Sequence, residues 1–477
     1  MITDNILKEV VSRYGRLFDV GEKGQMVYFN SHGFAELSRR DSNPVYIPAE
    51  KKFFHYDTQT GLWRNQSEHA MFSHIGLFLH GCAEFFHQPA IETKRKISII
   101  REILTFLKEL AAEPKFFDKS GRIFIHCLNG VLEFNTETKL WELKPFYPDY
   151  RSRSRVEIAF DPMAECPHFL HELLYNLIEF DDLDLIQRYA GQCLLSQNIT
   201  QKLLLITGSG GSGKGVIVRI IEAIVGPENC SQIRPDHISG RFELGFFLDK
   251  NLLSGRESTT SFFTAKGMSI IKSLVGDDDL RIEHKMSNEH EIIRGKYNLI
   301  IVGNPTPTLK FESEEDKGAW RRRIRWIRCK KFIPPAVKRD LAETLLQEEG
   351  PGILTWMLSG ARELLLSDNR EMSCNAVQTA RLDYLFGSAE PLKLFLISCV
   401  EANRGTTITS DEMFGAFTDF CKMMEWSLWN QREFQNKIPD AMLCCFQASL
   451  RRDVQRNRLT DGKTTNRAGF FHVRFKR

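Results

Sequence analysis

Leu203-Leu204-Leu205-Ile206-Thr207-Gly208-Ser209-Gly210-Gly211-Ser212-Gly213-Lys214-Gly215-Val216-Ile217 is an apolar run feeding a glycine-rich loop that ends in a lysine. A buried strand followed by a loop with almost no Cβ atoms lets several backbone N–H groups converge on one phosphate. Lys214 then reaches the outer phosphate oxygens, and the following helix points its positive dipole end at the same place. Gly208, Gly213 and Lys214 keep the G-x-x-x-x-G-K spacing of a phosphate loop. The expected phosphate-binding set is therefore Gly208, Ser209, Gly210, Gly211, Ser212, Gly213, Lys214, Gly215 and Val216. The flanks fit: four apolar residues suit a buried parallel strand, and Val216, Ile217, Ile220, Ile221 and Ile224 recur at helical spacing. Position 215 departs from the pattern, carrying Gly where a Ser or Thr hydroxyl ordinarily holds Mg²⁺.

At 477 residues the chain is long enough for two to four cores, and its 42% hydrophobic and 26% charged content is that of a globular protein. No apolar run reaches the roughly 18 residues of a membrane span, and Met1-Ile2-Thr3-Asp4-Asn5 lacks the basic start of a signal peptide, so no membrane partner and a cytoplasmic location are expected. Eleven cysteines without a C-x-x-C pair read as reduced, buried thiols rather than a zinc or disulfide framework. The net charge of +3 conceals an asymmetry: residues 451–477 hold nine basic against two acidic side chains, which leaves the remainder slightly acidic. Such a tail suits a polyanion, with a solvated face as the bland alternative.

Before the glycine loop the chain mixes short β signals, at 53–57 and 62–64 around Gly61 and at 122–125 and 130–134, with a helix over 97–111. The Pro-, Ser- and Arg-rich stretch 145–155 reads as a boundary, and 169–197 as largely helical. From about 200 to 335 strands alternate with helices, the pattern of a parallel sheet covered on both faces. Asn251–Glu257 is its second strand candidate, and Glu257 at its end is placed to hold Mg²⁺ and polarise water, although Arg256 stands where a partner acid is usual. A third strand, Tyr297–Gly303, ends at Asn304, whose amide can contact a γ-phosphate and an attacking water, or merely form a turn before Pro305. Residues 280–292 read as a β-hairpin with His284 and Lys285 at a basic tip able to touch a nucleic-acid backbone. In Trp320-Arg321-Arg322-Arg323-Ile324-Arg325, four arginines lie within five residues. That suits an arginine finger offered to a neighbouring subunit, hence a head-to-tail ring, or alternatively a simple nucleic-acid patch.

The glycine loop, Glu257, the 272–285 segment, Asn304 and the Trp320-Arg-Arg-Arg-Ile run together resemble the superfamily 3 helicases of the phage and plasmid primase-helicase family, which includes satellite-phage and poxvirus replication proteins. Leu128–Phe134, Phe160–Phe169, Tyr189-Ala190-Gly191 and Gly352–Gly360 resemble the segments flanking the motor there, so the resemblance spans most of 50–365. It implies an AAA+-like hexamer that hydrolyses ATP with Mg²⁺ and translocates on single-stranded or forked DNA. Lys214 would contact phosphates, Glu257 the metal, Asn304 would sense the γ-phosphate, Arg322 or Arg323 would be the finger and Lys285 the pore lysine. Many relatives carry an N-terminal primase, and the expectation is that priming falls to a separate primase or to host replication proteins.

After the motor, helices at 391–400, 410–424 and 432–446 and strands at 459–463 and 469–475 suggest a winged helix. Its basic residues, Arg451, Arg452, Arg456 and Arg474 among them, are expected to meet DNA phosphates, unless the unit docks protein. The expected fold class is α/β, in five parts: an N-terminal α+β domain (1–150), a helical collar (151–198), the ATPase core (199–335), a helical segment closing it (336–385) and the winged-helix-like basic domain (386–477). The function expected is a replicative DNA helicase of a mobile element. Two alternatives stand beside it: an origin-binding initiator, with duplex origin DNA as partner and a nucleotide site that controls assembly without processive unwinding, and an RNA-directed NTPase.

Overall fold

The computed structural model describes residues 3–117, 121–234, 237–240, 242–258, 268–283, 290–304, 306–307, 309–331, 340–424, 426, 428–457 and 464–476. Its first part alternates α1 (Asp4–Tyr14), α2 (Ser31–Ser42), α3 (Glu68–Phe85) and α4 (Ile97–Leu110) with two small antiparallel sheets, β1 (Phe18–Val20) on β2 (Met26–Phe29) and β3 (Val45–Ile47), β4 (Lys52–Asp57), β5 (Leu62–Gln66). The first three helices begin on side-chain caps, Thr3, Asn30 and Ser67 accepting from backbone N–H groups one turn on. In α4 the stripe Ile100, Ile103, Leu104 and Leu107 is buried, as its helical spacing predicts. β3 carries no sequence signal, because three residues are too few to show alternation. A third small sheet joins β6 (Phe124–Cys127), β7 (Gly130–Asn135) and β8 (Leu140–Lys144).

The stretch 145–155, polar by composition, is packed rather than free. Trp63 donates from its indole to Pro148 O (3.0 Å) and from its backbone to Ser152 O (2.8 Å), and Tyr150 donates to Glu133 (2.9 Å). Arg151 stacks on Phe116, and Arg153 lies over Phe54 and Phe117 while pairing with Glu50 and with Asp249, beyond the glycine loop. Cation–π stacking uses the faces of aromatic rings that composition alone counts as core.

A π-helical turn, Phe169–Leu174, runs into α5 (Tyr175–Leu177) and is followed by α6 (Leu183–Leu194). The parallel sheet then unfolds in sequence as β9 (Leu203–Thr207), α7 (Lys214–Val225), β10 (Cys230–Gln232), β11 (Leu252–Ser258), α8 (Met268–Gly276), the hairpin β12 (Asp279–Glu283) and β13 (His290–Arg294), β14 (Asn298–Gly303), α9 (Glu314–Arg323) and β15 (Ile324–Arg328). Its spatial order is β10-β11-β14-β9-β15, every pair parallel. All of β9 and β14 is buried, which is why both read as unbroken apolar runs. The chain is thus a mixed α/β protein built on a five-stranded parallel sheet.

The N-terminal ends of these strands are tied by buried polar bonds. Tyr189 of α6 donates to Leu299 O (2.8 Å) and accepts from Leu299 N (3.0 Å), Gln192 donates to Asn298 (2.9 Å), and Asn298 donates to Asn251 (2.8 Å). Helix α10 (Leu341–Leu366) crosses α6 where Gly191 meets Gly360, and a Cβ on either would overlap the other helix's backbone. Glu349 of α10 accepts from the N–H groups of His168 and Phe169 (2.8 Å each), capping the π-helical turn.

Helix α11 (Ala376–Ser388) packs on the parallel sheet through Leu382, Leu385 and Phe386, and the last unit comprises α12 (Pro391–Cys399), β16 (Val400–Thr409), α13 (Ser410–Met423), α14 (Gln431–Phe446), β17 (Arg451–Asn457) and β18 (Thr464–Phe475), with β18 central in an antiparallel sheet. The three helices from Pro391 onward stand where their periodicity predicts. The described strands of the hairpin are β17 and β18, with β16 as a third strand of the sheet, and the expected strand at 459–463 lies outside the described residues. Among the described residues no helix is long and apolar enough to cross a membrane.

Gly191→Leu is expected to lower stability by roughly 3 kcal/mol, measured by urea unfolding, because the overlap is with backbone that cannot rotate away. Gly215→Ala, where a Cβ would meet nothing within 4 Å, should cost far less.

Candidate phosphate-binding site

Strand register assembles the site. Thr207 of β9 lies opposite Gly303 of β14, and Gly303 opposite Ser258 of β11, so Gly208, Asn304 and Glu257 all fall on the C-terminal edge of the sheet. In open parallel sheets ligands bind beyond that edge, where neighbouring connections diverge, and β9 is the strand flanked by β14 and β15. The loop after it turns through left-handed backbone at Gly211 (φ 72°) and Gly213 (φ 104°), conformations open to glycine at little cost. A Cβ on Gly208 would stand 3.0 Å from the Cβ of Cys329.

Lys214, the first residue of α7 and only 5% exposed, folds back over this loop. Its ammonium donates to Gly208 O (2.9 Å), Ser209 O (2.6 Å), Asn304 Oδ1 (3.2 Å) and, at 3.4 Å, Ser212 Oγ. Burial pulls its pKa below the usual lysine value, with Cys329 opposing. Among the described residues the N–H groups of 209–213 reach no backbone carbonyl. A loop whose N–H groups reach no carbonyl, a helix N-terminus and a desolvated ammonium fit a phosphate chain.

The fit to Mg²⁺ is poorer. The first turn of α7, Lys214-Gly215-Val216-Ile217, offers no side-chain oxygen. Arg256 pairs with Glu222 of α7, eight residues beyond Lys214 and so roughly 12 Å along the helix. Glu257 ends β11, but its side chain lies outside the described residues.

The arginine run separates into distinct environments. Arg321 pairs with Asp383 of α11. Arg323 is half-buried, donates to Ala319 O (3.2 Å) and lies against Gly276 and Asp278; burial lowers its pKa. Arg325, 6% exposed, donates to Met372 O (2.7 Å) and is structural. Arg322 is exposed, and its side chain makes no hydrogen bond or ion pair among the described residues, although its carbonyl accepts from Arg325 (3.2 Å). The β12–β13 hairpin pairs as its alternation predicts, whereas His284 and Lys285 lie outside the described residues. Beneath β15, a pair with no sequence signal, Arg381 with the fully buried Asp182 (2.7 Å), also donates to Trp326 O (2.9 Å) and fixes α11 to the sheet.

Three of the four C-terminal arginines are engaged within the unit. Arg451 pairs with Asp453 and stacks on Phe471, Arg474 pairs with Glu401 (2.5 Å), and Arg456 holds Glu412 through two bonds (2.8 and 2.9 Å) while donating to Thr407 O (2.7 Å). Arg452 is exposed and has no ion pair among the described residues. Arg456 thus braces the α13 cap, where Glu412 and Thr409 form a capping box.

Two family profiles match the chain. One, described as D5 N terminal like, matches residues 34–176; the other, a family of unknown function (DUF5906), matches 206–323. No curated protein matches. Solved structures similar to it include the A form apo structure of the NrS-1 C-terminal region, 13% identical over 91% of this chain and 98% of that one with a TM-score of 0.46, and a second apo structure of that region, 13% identical over 93% and 99% with a TM-score of 0.45.

Gly215→Ser should fit without strain and make nucleotide binding more dependent on Mg²⁺, read as a larger loss of affinity on adding chelator than the unmodified protein shows. In the C-terminal unit, Arg456 hydrogen bonds hold the Glu412 carboxyl down to about 2, from 4.5. A depressed carboxylate stabilises the fold above its unfolded pKa and loses that contribution as pH falls from about 4.5 to 2. Glu412→Gln should therefore flatten the acid limb of the thermal-midpoint profile, and Arg456→Ala should lower the midpoint near neutral pH.

Proposed function

We propose that this chain is an ATP-hydrolysing DNA helicase of a phage, satellite or plasmid replication system, working as a ring on single-stranded DNA. The single observation that carries the proposal is the convergence of Lys214, the glycine loop and Asn304 at the C-terminal edge of β9 and β14. The strand order supports it: numbered within the sheet it runs five-one-four-three-two, the order of AAA+-type motors. The two profile matches fall in the order this architecture requires, one before the loop and one across it.

In this scheme the loop N–H groups and Lys214 receive the β- and γ-phosphates, the ammonium exchanging its carbonyl partners for phosphate oxygens. Asn304, already bonded to Lys214, orients the attacking water and reports the γ-phosphate. Mg²⁺ would arrive with the nucleotide and supply neutralisation of phosphate charge, and Glu257, at the end of β11, is the residue proposed to hold it. Arg322, exposed at the end of α9, reaches the phosphates of an adjacent subunit, which makes the ring, a hexamer in this scheme, part of the active site. Arg323 is the less suited of the two, being half-buried against its own subunit.

The initiator alternative draws on one feature of the last unit. An α-β-α-α-β-β order with a hairpin is that of a winged helix, and α14 exposes Arg432, Gln435 and Asn436 on one ridge. These side-chain types can read base edges in a major groove. Unwinding of a forked duplex separates the two: a helicase displaces the strand, and an initiator binds duplex without displacing it.

Purified protein with Mg²⁺, ATP and single-stranded DNA is expected to release phosphate in a DNA-stimulated manner. Lys214→Ala should abolish turnover, and Arg322→Ala should lower kcat by roughly 10³-fold or more. Equal turnover in the unmodified protein and Lys214→Ala would remove the proposal.

A further inference from the structure

Helix α9, which ends at the candidate finger, has little apolar anchorage. Its sequence, Glu314-Glu315-Asp316-Lys317-Gly318-Ala319-Trp320-Arg321-Arg322-Arg323, buries only Trp320. A helix polar on nearly all sides must take its orientation from charge pairs. The pairs are present, and they are ordered. Glu314, Lys317 and Arg321, three and four residues apart, share one face. That face meets Lys393 (2.7 Å), Glu390 and Asp383 in turn, all from α11, α12 and the turn joining them. Lys393 also approaches Glu390 (3.9 Å), which links the pairs. On another side Lys272 of α8 pairs with Asp316 and lies over the Trp320 ring.

We propose that Asp383, Glu390 and Lys393 are positioning residues for the ATP-site arginine: they clamp α9 so that Arg322 leaves its last turn toward the neighbouring subunit. The inference rests on Arg322 being the finger. Each pair is partly exposed and weak alone, but the three act on one rigid helix whose only apolar anchor is a single tryptophan. Misplacing a catalytic group by about 1 Å can cost 10²-fold in rate, so a weak clamp has kinetic leverage that its stability contribution does not suggest. The clamp also makes α12 the support of the finger. Because α12 packs on α14, and Cys445 of α14 lies close to Glu390 and Lys393, the C-terminal unit bears directly on it.

The test uses the full chain with Asp383→Asn and Glu390→Gln, singly and with Lys393→Gln, each also in an Arg322→Ala background. Single-stranded-DNA-stimulated ATP turnover is measured with kcat and KM separated, alongside hydrogen exchange of the amides in 314–323. The combined variant is expected to lose about tenfold in kcat with KM for ATP changed by less than about twofold, since the glycine loop is untouched. It should lose nothing further once Arg322 is gone, and α9 exchange should rise. An unchanged kcat, a loss that adds in full to that of Arg322→Ala, or unchanged exchange overturns the clamp. Absence of turnover in the unmodified protein counts against the helicase proposal instead, and the exchange measurement then still decides the clamp.

Discussion

The pairing of β9 with β14, Thr207 opposite Gly303, is the constraint on which the candidate site depends. One residue past that pair on each strand stand Gly208 and Asn304, and between them Lys214 closes a ring of bonds. A register slip in a parallel sheet would carry Asn304 away from the loop and turn the alternating faces of β14 over. Because β9 and β14 are buried from end to end, with aliphatic side chains contributing on the order of 1.5–3 kcal/mol each, slippage is strongly opposed.

The two ends of the sheet are built for different purposes. At the N-terminal ends, Gln192, Asn298 and Asn251 bond in a chain, Tyr189 bonds both backbone groups of Leu299, and Gly191 lets α10 close over α6. An unmet buried polar group costs about 1–3 kcal/mol, so this end is stabilised by complete pairing. At the opposite edge the loop N–H groups stay open and the lysine ammonium rests on carbonyls it can leave. The paired end holds in place the candidate binding surface at the other.

The parallel-sheet region was largely legible in the sequence. The glycine loop, strands β9, β11 and β14, and the hairpin β12–β13 each have a local signature: an apolar run, a Gly spacing, an alternation. The sequence could not rank Arg321, Arg322 and Arg323, since their difference lies in distant partners, Asp383 for one and the Gly276–Asp278 turn for another. The same limit explains Arg456, which reads as a DNA contact by charge and is found paired with Glu412. It explains residues 145–155 as well, where Arg151 and Arg153 are held by phenylalanines distant in the chain. The edge strands β3 and β16 escaped because they carry no regular alternation that sets them apart from loops. Glu257, His284 and Lys285 keep the roles proposed for them on chemistry and position in the chain alone.

If the glycine loop is a phosphate site, Lys214 must exchange its carbonyl partners for phosphate oxygens when nucleotide binds. The direct measurement is equilibrium titration of a non-hydrolysable ATP analogue against the full chain and its Lys214→Ala variant, with both shown to be folded by circular dichroism. The account predicts saturable binding to the unmodified protein and a loss of about 100-fold or more in the variant, the scale of two charge-assisted hydrogen bonds. Equal affinity for the two proteins would contradict it.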